Sequence, residues 1–324
     1  QTYGMIRRTL LLSALGTPML KTGALAQVLR PVRIVAPFAA GTSADAQARL
    51  LALHLTPLLP QPVVVENRAG AGGSVGAEAV ARSTDGHTVL VGSNGPLVNN
   101  PILQARMPYD SPGDFCAIAM VSTTPHTLTV RAESPIRDVA QYLAAARAGA
   151  VSIGSSGQGS ATHFLIEQFM AAAGIRLTVV PYRGSSLSVP DALAGNVDSV
   201  MAEIPSVTPL WRDGRLRVLA TTGPRRSALM PEVPTLIEAG FPGLTGGSWA
   251  GIVGAASMPA ATQAALTAAI LKVMEVPAFL DRQRQLGSEV ATPEERGPAA
   301  LMAFWRSELE RTRVTARDAN IRAE

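Results

Sequence analysis

The sequence predicts an α/β protein built as two lobes, and three observations carry that expectation. From Pro31 onward, short β-branched runs alternate with Gly-rich turns and helical stretches, the pattern of βα units around parallel strands. Aromatic residues make up only 4% of the chain while Gly (29) and Pro (24) are plentiful, which suits many strand-to-helix loops better than a sandwich with an aromatic core. The 324 residues, 47% hydrophobic and 16% charged, are enough for two packed units sharing a cleft and speak against disorder.

The elements follow in order. Residues 1–26 read as a secretory leader: Arg7 and Arg8, an apolar run over 9–20, then Ala24, Leu25 and Ala26 before a cleavage point at Gln27. That run is shorter than the roughly 20 apolar residues a membrane span needs. Ordinary secretion to the periplasm is the expected route, with the paired arginines compatible with twin-arginine export. Strand 32–36 then leads to helix 44–56, strand 63–66 to helix 73–81, and 88–91 forms a third strand. Two further strands are expected at 118–121 and 127–130, followed by helix 139–148, strand 151–155, helix 161–173, and strands 177–181, 197–201 and 218–222. Helical spacing places Ala46, Leu50 and Leu53 on one sheet-packed stripe, and Leu165, Phe169 and Ala172 on another. A late apolar segment, 249–253, precedes closing helices 260–273 and 298–312. The chain is therefore expected to build 27–125, pass into a second lobe over 126–249, and return to the first lobe for 250–324.

Composition excludes several classes. The formal charge of +4 owes much to Arg7, Arg8 and Lys21 in the leader, and the other arginines are scattered, so no nucleic-acid partner is expected. Cys116 is the single cysteine and the four histidines lack ligand spacing, so neither a disulfide nor a metal is expected. The glycines of VVVENRAGAGGSVG, Gly70, Gly72 and Gly76, are spaced GxGxxxG rather than as a dinucleotide fingerprint, which reads as tight turn and helix packing without a cofactor.

Three loops share one design: a strand ends, small residues with free N–H groups follow, and a helix begins. In PFAAGTSAD, Gly41 allows close approach, Thr42 or Ser43 caps the helix, and Asp45 sits in the first turn, where its carboxylate favours the helix dipole or orients a ligand ammonium or a water. GSSGQGSATH repeats the design with hydroxyls at Ser155, Ser156, Ser160 and Thr162, and YRGSSLSVPDAL places Gly184, Ser185 and Ser186 before another short helix. Helix starts of this kind bind anions. Glu203, at the end of its strand, reads either as a solvated carboxylate or as a cleft acid, and Trp249 as cleft wall, hinge or core. A hydrolase would need Ser160 served by His163, yet no GxSxG elbow and no orienting acid accompany them.

The chain from Pro31 to its end resembles the substrate-binding receptors of tripartite tricarboxylate transporters, the Bug family. The segments PVRIVAPFAAGTSAD, QPVVVENRAGAGG, PYDSPGDF, GSSGQGSATHF, VPYRGSS, VPTLIEAGFPG and GSWAG carry the likeness, in that order. The resemblance implies a type II periplasmic binding protein fold with a ligand cleft between the lobes, two crossings between them, and no catalysis. It implies that the loops at 39–45 and 155–162 hold ligand carboxylates. With the loop reading, the candidate ligand-binding set is Ala40, Gly41, Thr42, Asp45, Ser93, Ser155, Gly157, Ser160, Ala161, Thr162, Tyr182, Ser185 and Glu203. The implied ligand is a small carboxylate (a dicarboxylate, amino acid, aromatic acid or tricarboxylate). The implied partner is a set of membrane transporter subunits or a sensor, served by a monomer. Two departures stand out. Ala39, Ala40, Gly41 and Thr42 replace the family's usual PPGG, and Ala202, Glu203, Ile204, Pro205 and Ser206 replace an acid and amide before LPS. The second change bears on specificity at the far wall of the cleft, where Glu203 would favour a ligand amine or hydroxyl.

Overall fold

A computed structural model describes residues 30–321; the expected leader lies outside the described residues. The β-branched runs VRIVA and VVVEN form parallel strands β1 (Val32–Ala36) and β2 (Val63–Asn67), with β3 (Thr88–Gly92) on the other side of β1. Helices α1 (Ser43–Leu55) and α2 (Ser74–Ala81) make the crossovers. A π-helical turn at Gly95–Asn99 runs into the short α3 (Asn100–Leu103).

The chain then enters β4 (Phe115–Arg131), a single 17-residue strand where two were expected. Its first part pairs antiparallel with β9 (Gly247–Ala255), and its last part lies between β7 (Ser199–Glu203) and β8 (Leu216–Thr221). The polar stretch Thr123–Thr124–Pro125–His126 that broke the apolar pattern marks the change of sheet. Pro125 is the last residue paired with β9 and His126 the first paired with β7, so a residue without an N–H stands where one ladder hands over to another. Sheet order is β2-β1-β3-β9-β4 on one side and β4-β7-β5-β6 on the other, with β5 at Ser152–Ser155 and β6 at Thr178–Pro181. Strand β8 flanks β4 in the second sheet, and the two-residue β10 (Glu289–Val290) flanks it in the first.

The cores divide accordingly. Ile34, Leu90, Ile118, Phe279 and Trp305 anchor the first lobe. In the second, Tyr142, Ile153 and Phe169 pack with helices α4 (Val139–Ala148) and α5 (Ala161–Ala173). Val189, Val200 and Ile204 pack with α6 (Ser185–Ala194) and α7 (Ile204–Arg212). Two details of helix register differ from expectation. In α1 the buried stripe is Ala48, Leu51, Ala52 and Leu55, an i, i+3, i+4, i+7 set, and Leu53 is 68% exposed. In α5 Leu165 and Phe169 are buried as expected, but Ala172 is exposed in the last turn.

Both crossings between lobes meet at Thr222. Its Oγ1 accepts from His126 N (2.8 Å) and donates to Gly246 O (2.6 Å), while Gly246 N donates to Thr222 O (2.9 Å). At Gly247 a Cβ would lie 2.4 Å from Thr124 O, so the close approach of β9 to β4 demands glycine there. Helices α8 (Ala260–Val273) and α9 (Pro277–Gln285) cover the first sheet. The closing helix α10 (Pro298–Asp318) runs on to the second lobe, where Gln168 Nε2 donates to Thr315 Oγ1 (3.1 Å).

Candidate functional site

The first loop is held by its own acid. Gly41, at φ +84°, donates its N–H to Asp45 Oδ2 (2.9 Å), and Asn67 Nδ2 donates to Asp45 Oδ1 (2.9 Å) and to Phe38 O (3.1 Å). Arg49 adds an ion pair one turn along α1. The Arg49 bond, with those from Gly41 and Asn67, holds the buried Asp45 carboxyl down at about 2. Thr42 is the N-cap: its hydroxyl donates to Ala39 O (2.8 Å) and accepts from Asp45 N (3.5 Å). With Gly41 N and both Asp45 oxygens committed, the groups left to meet a ligand are the opening N–H groups of α1 at Ser43 and Ala44. These have no carbonyl one turn earlier to bond, and Ala40 is exposed beside them.

The second loop is tied by hydroxyls. Thr162 Oγ1 accepts from Ser156 N (2.8 Å) and bonds the hydroxyls of Ser156 (2.8 Å) and Ser160 (2.9 Å). Ser160 caps α5, accepting from His163 N (3.2 Å) and donating to Gly157 O (2.7 Å). Gly157 at φ +142° supplies the turn, and its N–H points to the fully buried Ser155 hydroxyl (3.4 Å). Ala161 and Thr162 open the helix with the same unpaired N–H geometry as Ser43 and Ala44. His163 Nδ1 accepts from Gly159 N (3.0 Å), so its proton sits on Nε2, 3.6 Å from Glu167. The Ser160 proton and the imidazole lone pair are thus both given to backbone, and the nucleophile-to-base bond of a hydrolase is not formed.

A third segment, of which sequence reasoning named only Ser93, joins these loops. Ser93 follows β3, and its carbonyl accepts from Leu97 N (3.2 Å) at the start of the π-helical turn. From that turn Asn99, 4% exposed, donates Nδ2 to Gly159 O of the second lobe (2.8 Å). On its other side the turn meets the first loop, where a Cβ on Gly95 would lie 3.7 Å from Phe38. Asn100 Nδ2 donates to Ala71 O and Gly72 O (3.1 and 3.0 Å), tying down the GAGG turn. That turn is packing: a Cβ on Gly76 would lie 2.9 Å from the backbone of Pro37. The signal was the asparagine-rich SNGPLVNNP directly after a strand.

The remaining candidates divide. Tyr182 N donates to Ser155 O (3.1 Å), placing it beside the second loop, but its hydroxyl donates to Asp191 Oδ2 on α6 (2.8 Å). Ser185 opens α6 after Gly184. Glu203 stands at the crossing, where Ser248 Oγ donates to its Oε1 (2.6 Å) and His126 Nε2 lies 3.3 Å from the same hydroxyl. Burial lowers the His126 pKa, Glu203 opposing; with the Ser248 proton given to Glu203, the hydroxyl oxygen is left to accept from His126 Nε2. Trp249, on the opposite face of β9 from Ser248, is 4% exposed and packs edge-on against Phe304 with ring centroids 5.6 Å apart.

Residues 47–319 match the family model described as the tripartite tricarboxylate transporter family receptor, TctC. The chain belongs to this receptor family. It is 37% identical over 286 residues to the UPF0065 protein of the tcbD-tcbE intergenic region of Pseudomonas sp. (strain P51), covering 87% of this chain and 84% of that one. It is 37% identical to protein BugT of Bordetella pertussis over 224 residues, 68% and 69% of the two chains. Among solved structures, a TctC solute-binding protein from Polaromonas superposes with TM-score 0.80 at 25% identity, over 90% of this chain and 99% of its own. MatC from Rhodopseudomonas palustris with bound malate gives 0.74 at 28% identity, over 89% and 99%. An R. palustris protein with adipate gives 0.77 at 29%, over 91% and 98%. The fold is the periplasmic binding protein type that the TctC receptors share, and a receptor is a binding class rather than an enzyme class.

Proposed function

We propose that this TctC receptor is an extracytoplasmic solute-binding protein that captures a small carboxylate between its lobes for uptake by a tripartite tricarboxylate-type transporter. The observation that carries the reading is the pair of helix starts, Ser43–Ala44 and Ala161–Thr162, each opening from a loop immobilised by its own side chains and linked through the Asn99 to Gly159 bond. Oriented N–H groups with the helix dipole suit a carboxylate without any arginine. A ligand bridging both starts favours the closed arrangement of the lobes, 27–125 with 250–324 against 126–249, by differential affinity. Malate and adipate in related receptors support a dicarboxylate of that size.

In this reading Asp45, Gly41 and the Thr162 hydroxyl cluster position the loops, while the helix N–H groups and Ser93 meet the solute. Glu203, with one oxygen committed to Ser248, lines the far wall and favours a ligand hydroxyl or ammonium. Residues 1–26 serve as the export leader to the periplasm. The test is a thermal-shift and calorimetric titration of protein refolded to strip bound solute, against mono-, di- and tricarboxylates, amino acids and aromatic acids. The reading expects a saturable rise in Tm and stoichiometric binding for one carboxylate group, since a ligand for the native state stabilises it by mass action. Silence across all of them would remove the carboxylate assignment.

A further inference from the structure

Apart from the chain crossings, the two lobes meet along a seam between α5 and the first-lobe helices α3 and α10. Ile102 of α3 packs on the first core, while Leu165 and Phe169 of α5 belong to the second. Between them lies a small core of its own, in which the buried Phe164 of α5 clusters with Ala316 of α10 and Ile321, and with Ile102 and Leu103 of α3. Further along α5 the bond from Gln168 to Thr315 crosses the same seam.

At the loop end of this seam stands Gly159. Its φ is +67°, and a Cβ there would lie 2.5 Å from Leu103 Cδ1, so glycine is what lets the second loop come this close to α3. The two peptide groups of Gly159 are held from opposite lobes. Its carbonyl accepts from Asn99 Nδ2 of the first lobe (2.8 Å), and its N–H donates to His163 Nδ1 of the second (3.0 Å). The Asn99 and His163 side chains are both buried, which shields the two bonds from competing water. Every partner in the seam is a protein atom. These contacts therefore favour the closed arrangement with or without a solute, and a solute adds to that bias only its own differential affinity for the two arrangements.

We propose that Asn99 and His163 are positioning residues that hold the lobes closed before any solute arrives. Asn99 grips the second lobe by Gly159 O, and His163 fixes the Gly159 peptide where Asn99 reaches it. Both act through Gly159 rather than on the solute. Loss of one such shielded bond corresponds to about a tenfold fall in the ratio of closed to open molecules. The proposal concerns the lobes themselves and stands apart from which solute the cleft takes.

The test is small-angle X-ray scattering of the full chain, refolded to strip solute, as wild type and as four variants. Asn99→Asp keeps the shape but turns an acceptor toward Gly159 O, and Asn99→Ala removes the donor outright. His163→Leu keeps bulk and loses the acceptor, whereas His163→Asn loses bulk but offers Oδ1 where Nδ1 stands. The proposal expects a larger radius of gyration than wild type for Asn99→Asp, Asn99→Ala and His163→Leu, and a radius near wild type for His163→Asn. Each variant is checked for a cooperative thermal transition, and the two Asn99 variants guard against misfolding of either. A wild-type radius in both Asn99 variants overturns the proposal. So does the reverse order of the His163 pair, with leucine closed and asparagine open, which is the mark of packing alone. Saturating malate or adipate should contract the opened variants to the wild-type radius and leave wild type unchanged; a wild type that itself contracts was open without solute and contradicts the proposal. If neither acid binds, it is the carboxylate reading that fails, and the solute-free radii still decide this one.

Discussion

Replacing Asp45 by Asn should loosen the first loop by an amount that depends on pH. Asp45 accepts from Gly41 N and Asn67 Nδ2 at 2.9 Å each and pairs with Arg49. Its carboxyl is lowered from 3.8 to about 2. A group whose folded pKa lies below its unfolded one contributes stability that is present above the unfolded value and lost as pH falls toward the folded one. The shift corresponds to about 2 kcal/mol. Arg49 is 57% exposed, and solvent screening of that partner brings the expectation to about 1–2 kcal/mol. An asparagine can turn its carbonyl to Gly41 N, but its amide then faces the Asn67 amide, donor against donor. For a chain of this size that loss corresponds to a Tm fall of roughly 2–3 °C at pH 7. Scanning calorimetry of both proteins at pH 7 and pH 3 measures it. The gap should shrink to roughly half at pH 3, where the wild-type contribution is itself half lost. A gap of the same size at both pH values, or none at pH 7, would refute the assignment of Asp45 as the charged anchor of the loop.

Further variants test other parts of the account. Thr162→Val removes the hydroxyl shared by Ser156 and Ser160 and leaves Ser156 N unsatisfied; it should cost about 1–3 kcal/mol in a denaturant melt and weaken solute binding in the same preparation. Gly247→Ala forces a Cβ to 2.4 Å from Thr124 O, so β4 and β9 must separate; a Tm loss equivalent to about 1–3 kcal/mol is expected, and an unchanged Tm would show that the strands can part freely. In α1, Leu51→Asp should prevent folding while Leu53→Asp leaves the circular-dichroism melt nearly unchanged, since Leu51 is 2% and Leu53 68% exposed.

Much of the site was legible because helix starts have local chemistry. A small residue, a cap and a run of helix formers announce themselves in AAGTSAD and GQGSATH, and the structure builds both loops at those positions. What each side chain does inside them was less legible. Asp45 was explained by the dipole of its own helix, whereas one of its partners, Asn67, arrives through the parallel register that pairs Ala36 with Asn67. The bond between Ser248 and Glu203 spans 45 residues and exists because β4 pairs with β9 before Pro125 and with β7 after it. No local pattern encodes such a handover, and the same Pro125 that marks it made one long strand read as two. Leu53 and Ala172 were misplaced for a related reason: in helices rich in Ala and Leu several stripes satisfy the apolar spacing, and only the neighbouring sheet selects one.

The central claim is that two helix starts from opposite lobes hold one carboxylate solute. Amide nitrogen–proton spectra of the isotopically labelled protein, stripped of solute and titrated with malate and then adipate, test it most directly. The account predicts that the amides of Ser43, Ala44, Ala161 and Thr162 shift together and saturate at one equivalent for at least one of the two. Saturable binding that moves neither helix start, or only one lobe's, would contradict it.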